Sequence, residues 1–120
     1  MKEDHYILEN EYVFAIIDKF PVSEGHTLVI PKRHFPDFFE ITKVELEAVY
    51  DLLSTRKEQL IQKDSTVKGF NVGVNVGEIA GQSVFHCHIH LMPRRAGDTP
   101  NPKGGVRGVI PDKMNYVKGL

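Results

Sequence analysis

The spacing of apolar residues predicts two strands in the first third of the chain. Residues 12–18 (YVFAIID) and 26–30 (HTLVI) are rich in β-branched and aromatic side chains, which favour extended structure. Pro21 and Gly25 lie between these segments and indicate a hairpin-type connection.

Residues 42–63 are predicted to form the one long helix. Thr42 and Glu45 have the spacing of a capping box, in which each side chain bonds the other residue's free backbone N–H. Apolar residues then recur with a period near 3.6, which predicts one buried stripe. That stripe comprises Leu46, Val49, Leu53, Leu60 and Ile61.

The second half of the chain predicts two further strands and an irregular tail. The strands are residues 70–76, weakened by Gly73, and residues 84–92, which carry the strongest pattern. Between positions 94 and 120, Gly and Pro break any regular period, as in a loop that wraps a surface or a partly disordered segment. We therefore expect an α+β fold in a single domain, residues 1–120, with its core at about 5–93.

Composition narrows the possible functions. The 120 residues are 41% hydrophobic and 26% charged, with 15 Lys and Arg against 16 Asp and Glu, so a strongly basic nucleic-acid binder is not expected. No apolar run reaches the roughly 20 residues of a membrane span, and residues 1–12 lack a signal-peptide core. Cys87 is the single cysteine, which excludes an intramolecular disulfide and favours the cytoplasm.

The segment 83–92 (SVFHCHIHLM) carries the candidate chemistry. Alternate residues of a strand point to opposite faces, so the pattern predicts His86, His88 and His90 together on one face. Three of the six histidines lie within five positions. One interpretation is a solvated strand face on which histidine is merely polar.

A second interpretation is a metal site. Same-face neighbours on a strand are about 6.7 Å apart, so two of these rings can reach one zinc ion, but all three only with unusual bending. The sequence offers no HExxH motif, no cysteine pair and no adjacent carboxylate ligand in support.

The third interpretation is a row of imidazoles around a phosphoryl group. A neutral imidazole nitrogen attacks phosphorus and leaves again readily, and its usual pKa of about 6.5 keeps a neutral fraction in cells. Flanking rings can donate hydrogen bonds to phosphate oxygens or protonate a leaving group. His88 is the predicted nucleophile because it alone has a histidine on both sides.

These residues resemble a known family. Residues 86–92 (HCHIHLM) resemble the signature of the histidine-triad (HIT) superfamily of nucleotide hydrolases and transferases. Residues 81–84 (GQSV), Asn75 at the family spacing, and residues 14–18 and 25–34 extend the resemblance over roughly 12–94. It implies a HIT-like domain with an antiparallel sheet of about five strands and one long helix. It also implies a homodimer whose sheets join.

The resemblance further implies a nucleotide hydrolase that attacks the α-phosphate of an adenine nucleotide derivative and forms a nucleotidyl-histidine intermediate. The substrate would be a dinucleoside polyphosphate or a nucleoside phosphoramidate, and the ligand an AMP-type purine nucleotide. No cofactor is required for this chemistry, although Mg²⁺ can accompany a polyphosphate, and no metal site is implied. The implied site residues are His88, His90, His86 and His26 for catalysis, Asn75, Gln82 and Ser83 for the phosphate or leaving group, Asp18 for the ribose, and Leu8, Phe14, Ile16 and Leu28 for the base.

Simpler roles stay open for several of these residues. His26 also fits a core histidine, Asp18 and Asn75 fit turn formers, and Phe14 and Ile16 fit plain core. A non-catalytic nucleotide-binding module and, more remotely, a metal-dependent enzyme are the competing functions. The tail holds six Lys or Arg residues, which leads us to expect part of it near the outer phosphates of a polyphosphate: Arg94, Arg95, Lys103, Arg107, Lys113 and Lys118.

Overall fold

A computed structural model describes residues 3–115 of the chain. The strands are β1 (Leu8–Glu9), β2 (Val13–Ile17), β3 (Thr27–Pro31), β4 (Val67–Gly73) and β5 (Ile89–Arg95), and the helix α1 is Lys43–Lys63. All neighbouring strands are antiparallel, in the order β1-β2-β3-β5-β4. The predicted α+β class, the antiparallel sheet and the single long helix are confirmed. No helix within residues 3–115 has the length and hydropathy to cross a bilayer.

The helix begins as the sequence predicts but turns a different stripe towards the sheet. Thr42 is the N-cap, and both hydrogen bonds of the capping box with Glu45 form. Leu46 and Ile61 of the predicted stripe are exposed, whereas Val49 and Leu60 are buried as expected. The buried helix positions are Glu45, Ala48, Val49, Leu52 and Leu60.

The sheet separates two apolar layers. One layer packs beneath α1 and includes Val13, Ala15, Val29 and Ile89. The other lies on the opposite face and consists of Phe14, Ile16 and Ile30, with Tyr6 and Leu28 against them. Because both faces of β2 are covered, four of its five residues are buried.

Two predicted strands shift along the chain. β4 is three residues earlier than expected, and β5 begins at Ile89, not at Val84. Residues 84–86 are bends, and Phe85 is exposed although strand alternation predicts it on the apolar face. Cys87 is still buried, and its backbone N–H donates to the carbonyl oxygen of Phe35. The prediction of a continuous strand through the three histidines was therefore wrong.

The turn between β2 and β3 brings the site face together. Gly25 has φ of +97°, and a Cβ there would come within 2.8 Å of the Leu60 side chain, so glycine is required on both counts. His26 follows immediately and is buried just before the start of β3, close to the paired positions Leu28 and His90.

Candidate active site

Only one histidine of the triad lies on a strand. His90 belongs to β5, while His86 and His88 belong to the bent segment before it. The rings of His88 and His90 remain close, with centroids 5.3 Å apart. The expected row of three equivalent rings is therefore replaced by a pair of rings and a differently placed third.

The surroundings of His88 set its tautomer. Its Nδ1 lies 2.8 Å from the backbone carbonyl oxygen of His86, and a carbonyl can only accept. The neutral ring therefore carries its proton on Nδ1 and has a lone pair on Nε2. This is the protonation state that a nucleophilic imidazole needs.

Buried His26 and half-buried His90 form a hydrogen-bonded pair next to this ring. The backbone N–H of Val22 donates to Nδ1 of His26 over 3.1 Å, which places the neutral ring's proton on Nε2. That Nε2 lies 2.9 Å from Nδ1 of His90, so the proton is donated there and His90 carries its own proton on Nε2. Burial lowers the pKa of both histidines. The pair thus holds a neutral His90 with one N–H available for a ligand.

Asp18 contacts both the turn and the histidine pair. One of its oxygens, Oδ1, accepts from the backbone N–H of Phe20 at 2.8 Å, so the turn-forming role is real. Its Oδ2 lies 3.3 Å from Nε2 of His26. The carboxylate therefore borders the site as well as shaping the turn.

Asp18, His26 and His90 are the one group within residues 3–115 whose ligand atoms are close enough for a metal ion, all within 4.8 Å of one another. A metal-bound histidine normally donates from its other nitrogen. His26 instead accepts a backbone N–H at Nδ1, so binding a cation at Nε2 would leave the ring without any proton. The donor set does not suit a metal ion.

The His86 ring has contacts of its own. Its Nε2 donates to the carbonyl oxygen of Pro31 at 2.7 Å, and its ring packs edge-on against His34, with centroids 4.7 Å apart. Strand alternation does not apply at His86 because the chain bends before β5, although His86 and His88 line the same cavity. Its contribution to His88 comes from the backbone carbonyl.

An apolar cavity of about 360 Å³ opens beside His88. Tyr6 stacks on Phe14 along its wall, with ring centroids 4.0 Å apart. Lys32, at the same cavity, pairs with Glu9 over 2.7 Å. The lining residues are Tyr6, Phe14, Leu28, Ile30, Lys32, Val84, His86 and His88.

The structure corrects part of the predicted base pocket. Phe14 and Leu28 line the cavity, and Ile16 packs in the layer beneath them. Leu8 instead packs with the α1 layer, because it pairs with Ala15, whose side chain faces the helix. Tyr6 also lines the cavity but was not among the predicted site residues. It precedes the first predicted strand, in a segment without a periodic apolar pattern.

The predicted phosphate-binding residues separate into two groups. Gln82 is buried and uses its whole amide: Oε1 accepts from the Gly77 N–H, while Nε2 donates to the carbonyl oxygens of Pro36 and Val84. Its side chain therefore anchors the loop before the triad and has no group left for a phosphate. Ser83 is exposed, and half-buried Asn75 lies beside the same loop.

The arginines at the start of the tail belong to β5 and are engaged elsewhere. Arg94 forms two 2.8 Å hydrogen bonds to Asp98, and Arg95 contacts Asp64 at 3.0 Å. The hydroxyl and the backbone N–H of Thr66, followed by the Arg95 guanidinium, lower the pKa of Asp64 to about 2. Arg107 donates to the carbonyl oxygen of Lys113 within the tail itself. The expectation that these arginines face outer phosphates is not supported by their contacts.

Comparison with known proteins relates this geometry to one family. The HIT domain family model matches residues 1–97. An uncharacterized HIT-like protein of Mycoplasma genitalium is 45% identical over 86 residues, which are 72% of this chain and 60% of that protein. The chain thus spans less than two thirds of that relative's length.

Two relatives have activities in their names. Adenylylsulfatase HINT3 of Arabidopsis thaliana is 34% identical over 92 residues, 77% of this chain and 46% of that protein. AP-4-A phosphorylase of Mycobacterium tuberculosis is 33% identical over 99 residues, 81% of this chain and 50% of that protein. Among solved structures, a HIT family protein from Bacillus anthracis superposes with a TM-score of 0.72 at 39% identity, covering 78% of this chain and 65% of that one.

Proposed function

This chain belongs to the HIT domain family, and on that premise we propose that it is a hydrolase acting at the α-phosphate of a purine nucleotide derivative through a nucleotidyl-histidine intermediate. The observation that carries the proposal is the contact between Nδ1 of His88 and the carbonyl oxygen of His86, which leaves the Nε2 lone pair free. The names of two relatives, an adenylylsulfatase and an AP-4-A phosphorylase, both describe attack on adenylyl compounds and support the substrate class.

In the first step, the lone pair of His88 Nε2 forms a bond to the α-phosphorus. The bond from phosphorus to the leaving group breaks, and its electron pair departs with the leaving oxygen or nitrogen. A polyphosphate leaves as the anion, whereas an amine also takes up a proton from solvent water. His90 Nε2–H donates a hydrogen bond to a phosphate oxygen as negative charge grows there.

In the second step, a water oxygen forms a bond to phosphorus. The bond between phosphorus and His88 Nε2 breaks, its electron pair returns to the ring, and the water proton passes to solvent. The product is a nucleoside 5′-monophosphate. The histidine pair remains neutral throughout. The proposed route uses His88, His90 and water and includes no metal ion or other cofactor, and Mg²⁺ would serve only to accompany a polyphosphate substrate.

The cavity beside His88 is the proposed nucleotide site. The apolar walls formed by Phe14 and Leu28 suit a purine ring, and the stacked Tyr6 closes one side. We assign the ribose hydroxyls to Asp18, whose Oδ2 faces the histidine pair. Asn75 and Ser83 are left as the polar side chains available to the phosphate or leaving group.

We also propose that the protein is a homodimer joined along β4. This strand is last in the sheet that residues 3–115 form, so within that range one row of its backbone groups lacks a strand partner. Exposed Leu46, Tyr50 and Val72 surround an apolar hollow of about 360 Å³ beside it. Pairing two copies of β4 would continue the sheet and cover this surface. The lone, buried Cys87 keeps the cytoplasm as the expected compartment.

The test is to trap the intermediate. Incubation with adenosine 5′-phosphoramidate followed by acid-free quenching and mass spectrometry should show an adenylyl adduct on His88. His88→Ala should lose the adduct and turnover while still binding AMP in calorimetry, and His5→Ala, at an exposed histidine, should behave as wild type.

Turnover that survives in His88→Ala, or an adduct on another residue, would overturn the assignment. AMP binding by the wild type with no adduct and no turnover would identify a non-catalytic nucleotide-binding module instead. Activity lost to a chelator and restored by zinc would favour a metal-dependent enzyme.

A further inference from the structure

A second cavity meets the triad on the far side of His90. Its volume is about 640 Å³, larger than the cavity beside His88. His26, His90 and Asn75 supply polar groups to its lining. The first cavity is lined by His88 and the second by His90. A phosphoryl group bound between the rings of His88 and His90 would therefore have one cavity on each side.

The C-terminal segment forms the outer wall of this second chamber. Residues Gly105–Val109 form a short 3-10 helix that packs against β4 and presents Val106 and Val109 to the cavity. Val22 and Met92 contribute further apolar side chains from the body of the fold. Val106 and Val109 keep 65% and 78% of their surface exposed, so a ligand in the chamber would bury apolar area that is now in water.

No lysine or arginine within residues 3–115 lines this chamber. The nearby Arg94 is held by Asp98 and by the side-chain oxygen of Asn71 at 2.7 Å. The polar groups present are the neutral histidine pair and two asparagines, Asn71 and Asn75. A chain of several phosphates would therefore enter a chamber with apolar walls and without a lysine or arginine of residues 3–115 to pair its charges, which is unfavourable.

From these observations we propose that the second chamber selects the leaving group, and that the preferred substrate carries an uncharged apolar substituent on the α-phosphate. This inference rests on the proposed function and narrows the choice of leaving group from that function. The shared chemistry is an alkyl or aryl group joined through nitrogen or oxygen. An amine departs with the electron pair of the P–N bond and a proton from solvent water, and a carboxylic acid departs as its anion with the electron pair of the P–O bond.

The experiment compares two adenosine 5′-phosphoramidates that differ only at the end of the amine. One carries a butyl group and the other a 3-carboxypropyl group, so the bond that breaks and the adenosine are the same. We expect kcat/KM to be about tenfold higher for the butyl compound, because its terminal methyl group can be buried against the apolar walls whereas the carboxylate in its place would lose hydration without gaining a partner. A mixed anhydride of AMP with butyric acid tests the oxygen-linked arm, and diadenosine tetraphosphate tests the polyphosphate arm.

Charge placed at Val109 should change this preference in opposite directions. Val109→Lys should favour the carboxypropyl compound, and Val109→Asp should disfavour it further, because the two variants place charges of opposite sign at the same position. The matched controls are Val44→Lys and Val44→Asp, at an exposed position in the first turn of α1 outside both chambers. These should leave the ratio unchanged.

Equal or reversed rates for the two phosphoramidates, or a ratio that both Val109 variants leave unchanged, would refute the inference. The proposed function would still stand if His88 formed its adduct with either compound. If neither compound gave an adduct or AMP, the proposed function itself would fail.

Discussion

The ion pair between Arg33 and Glu45 offers a quantitative test of the fold beneath the site. The Glu45 side chain is only 6% exposed, and both of its oxygens accept from Arg33, at 2.9 and 3.0 Å. This guanidinium also lies 4.2 Å from the centre of the Phe35 ring, and the carbonyl of Phe35 receives the N–H of Cys87. The pair therefore supports the segment on which the bend before β5 rests.

The perturbation is Glu45→Gln, which removes the charge but keeps a side chain able to complete the capping box with Thr42. Chiefly through the Arg33 hydrogen bonds, the pKa of Glu45 falls from 4.5 to about 2. At about 1.4 kcal/mol per pKa unit, this difference corresponds to roughly 3 kcal/mol of folding stability. Arg33 is 49% exposed, so solvent screening reduces the expected loss to about 2 kcal/mol.

The sign of the pH dependence follows from the lowered pKa. The folded protein holds Glu45 ionised more readily than the unfolded chain, so the stabilisation is complete above pH 4.5 and is lost as pH falls towards 2. Urea unfolding of wild type and Glu45→Gln should differ by about 2 kcal/mol at pH 7 and by about half of that midway through this window. The same substitution in an Arg33→Gln background is the control and should cost little. A difference that stays constant from pH 7 to pH 3 would show that the charge is not responsible.

Three further outcomes are expected. Burial raises the pKa of the Cys87 thiol to about 11, so alkylation by iodoacetamide at pH 8 should be slow in the native protein and rapid in urea, and fast native labelling would contradict the burial. Burial lowers the pKa of His26 and His90, so folding is favoured most above pH 6.5, the usual histidine pKa, and the melting temperature should fall as the pH drops below 6.5. A melting temperature unchanged from pH 7.5 to pH 5 would count against neutral rings. Val72→Lys on the exposed edge strand should shift the molar mass in light scattering from dimer to monomer while Val44→Lys does not, and a wild-type monomer would refute the dimer.

Local sequence signals predicted those parts of the fold that depend on neighbours along the chain. The capping box of Thr42 and Glu45 forms as expected because its two hydrogen bonds join residues three apart. The strands before and after Gly25 were found because β-branched residues and turn formers lie side by side. In contrast, the helix turned Ala48 and Leu52 inwards in place of Leu46 and Ile61. That choice depends on which side chains fit against the sheet, which periodicity does not encode.

The candidate site also combines features that the sequence predicted with features that depend on distant segments. The histidine spacing predicted phosphoryl chemistry with His88 as the nucleophile. The predicted family is confirmed by the match to the HIT domain model. Strand alternation nevertheless failed at His86, whose ring bonds the carbonyl of Pro31, a residue 55 positions away. Gln82 was likewise predicted to contact phosphate, but its side-chain amide is hydrogen-bonded to the backbone of Gly77 and Pro36.

Residue types and their order were thus sufficient to predict the fold class, the helix start and the family, because these follow from backbone propensities, a short sequence motif and contacts within a few residues. The tautomers of His88 and His26, the Leu8 side of the sheet and the apolar chamber walled by Val106 and Val109 emerged only from the folded chain. Each depends on a donor, an acceptor or a packed surface that a distant segment supplies, and only three-dimensional packing brings those partners within hydrogen-bonding or van der Waals distance.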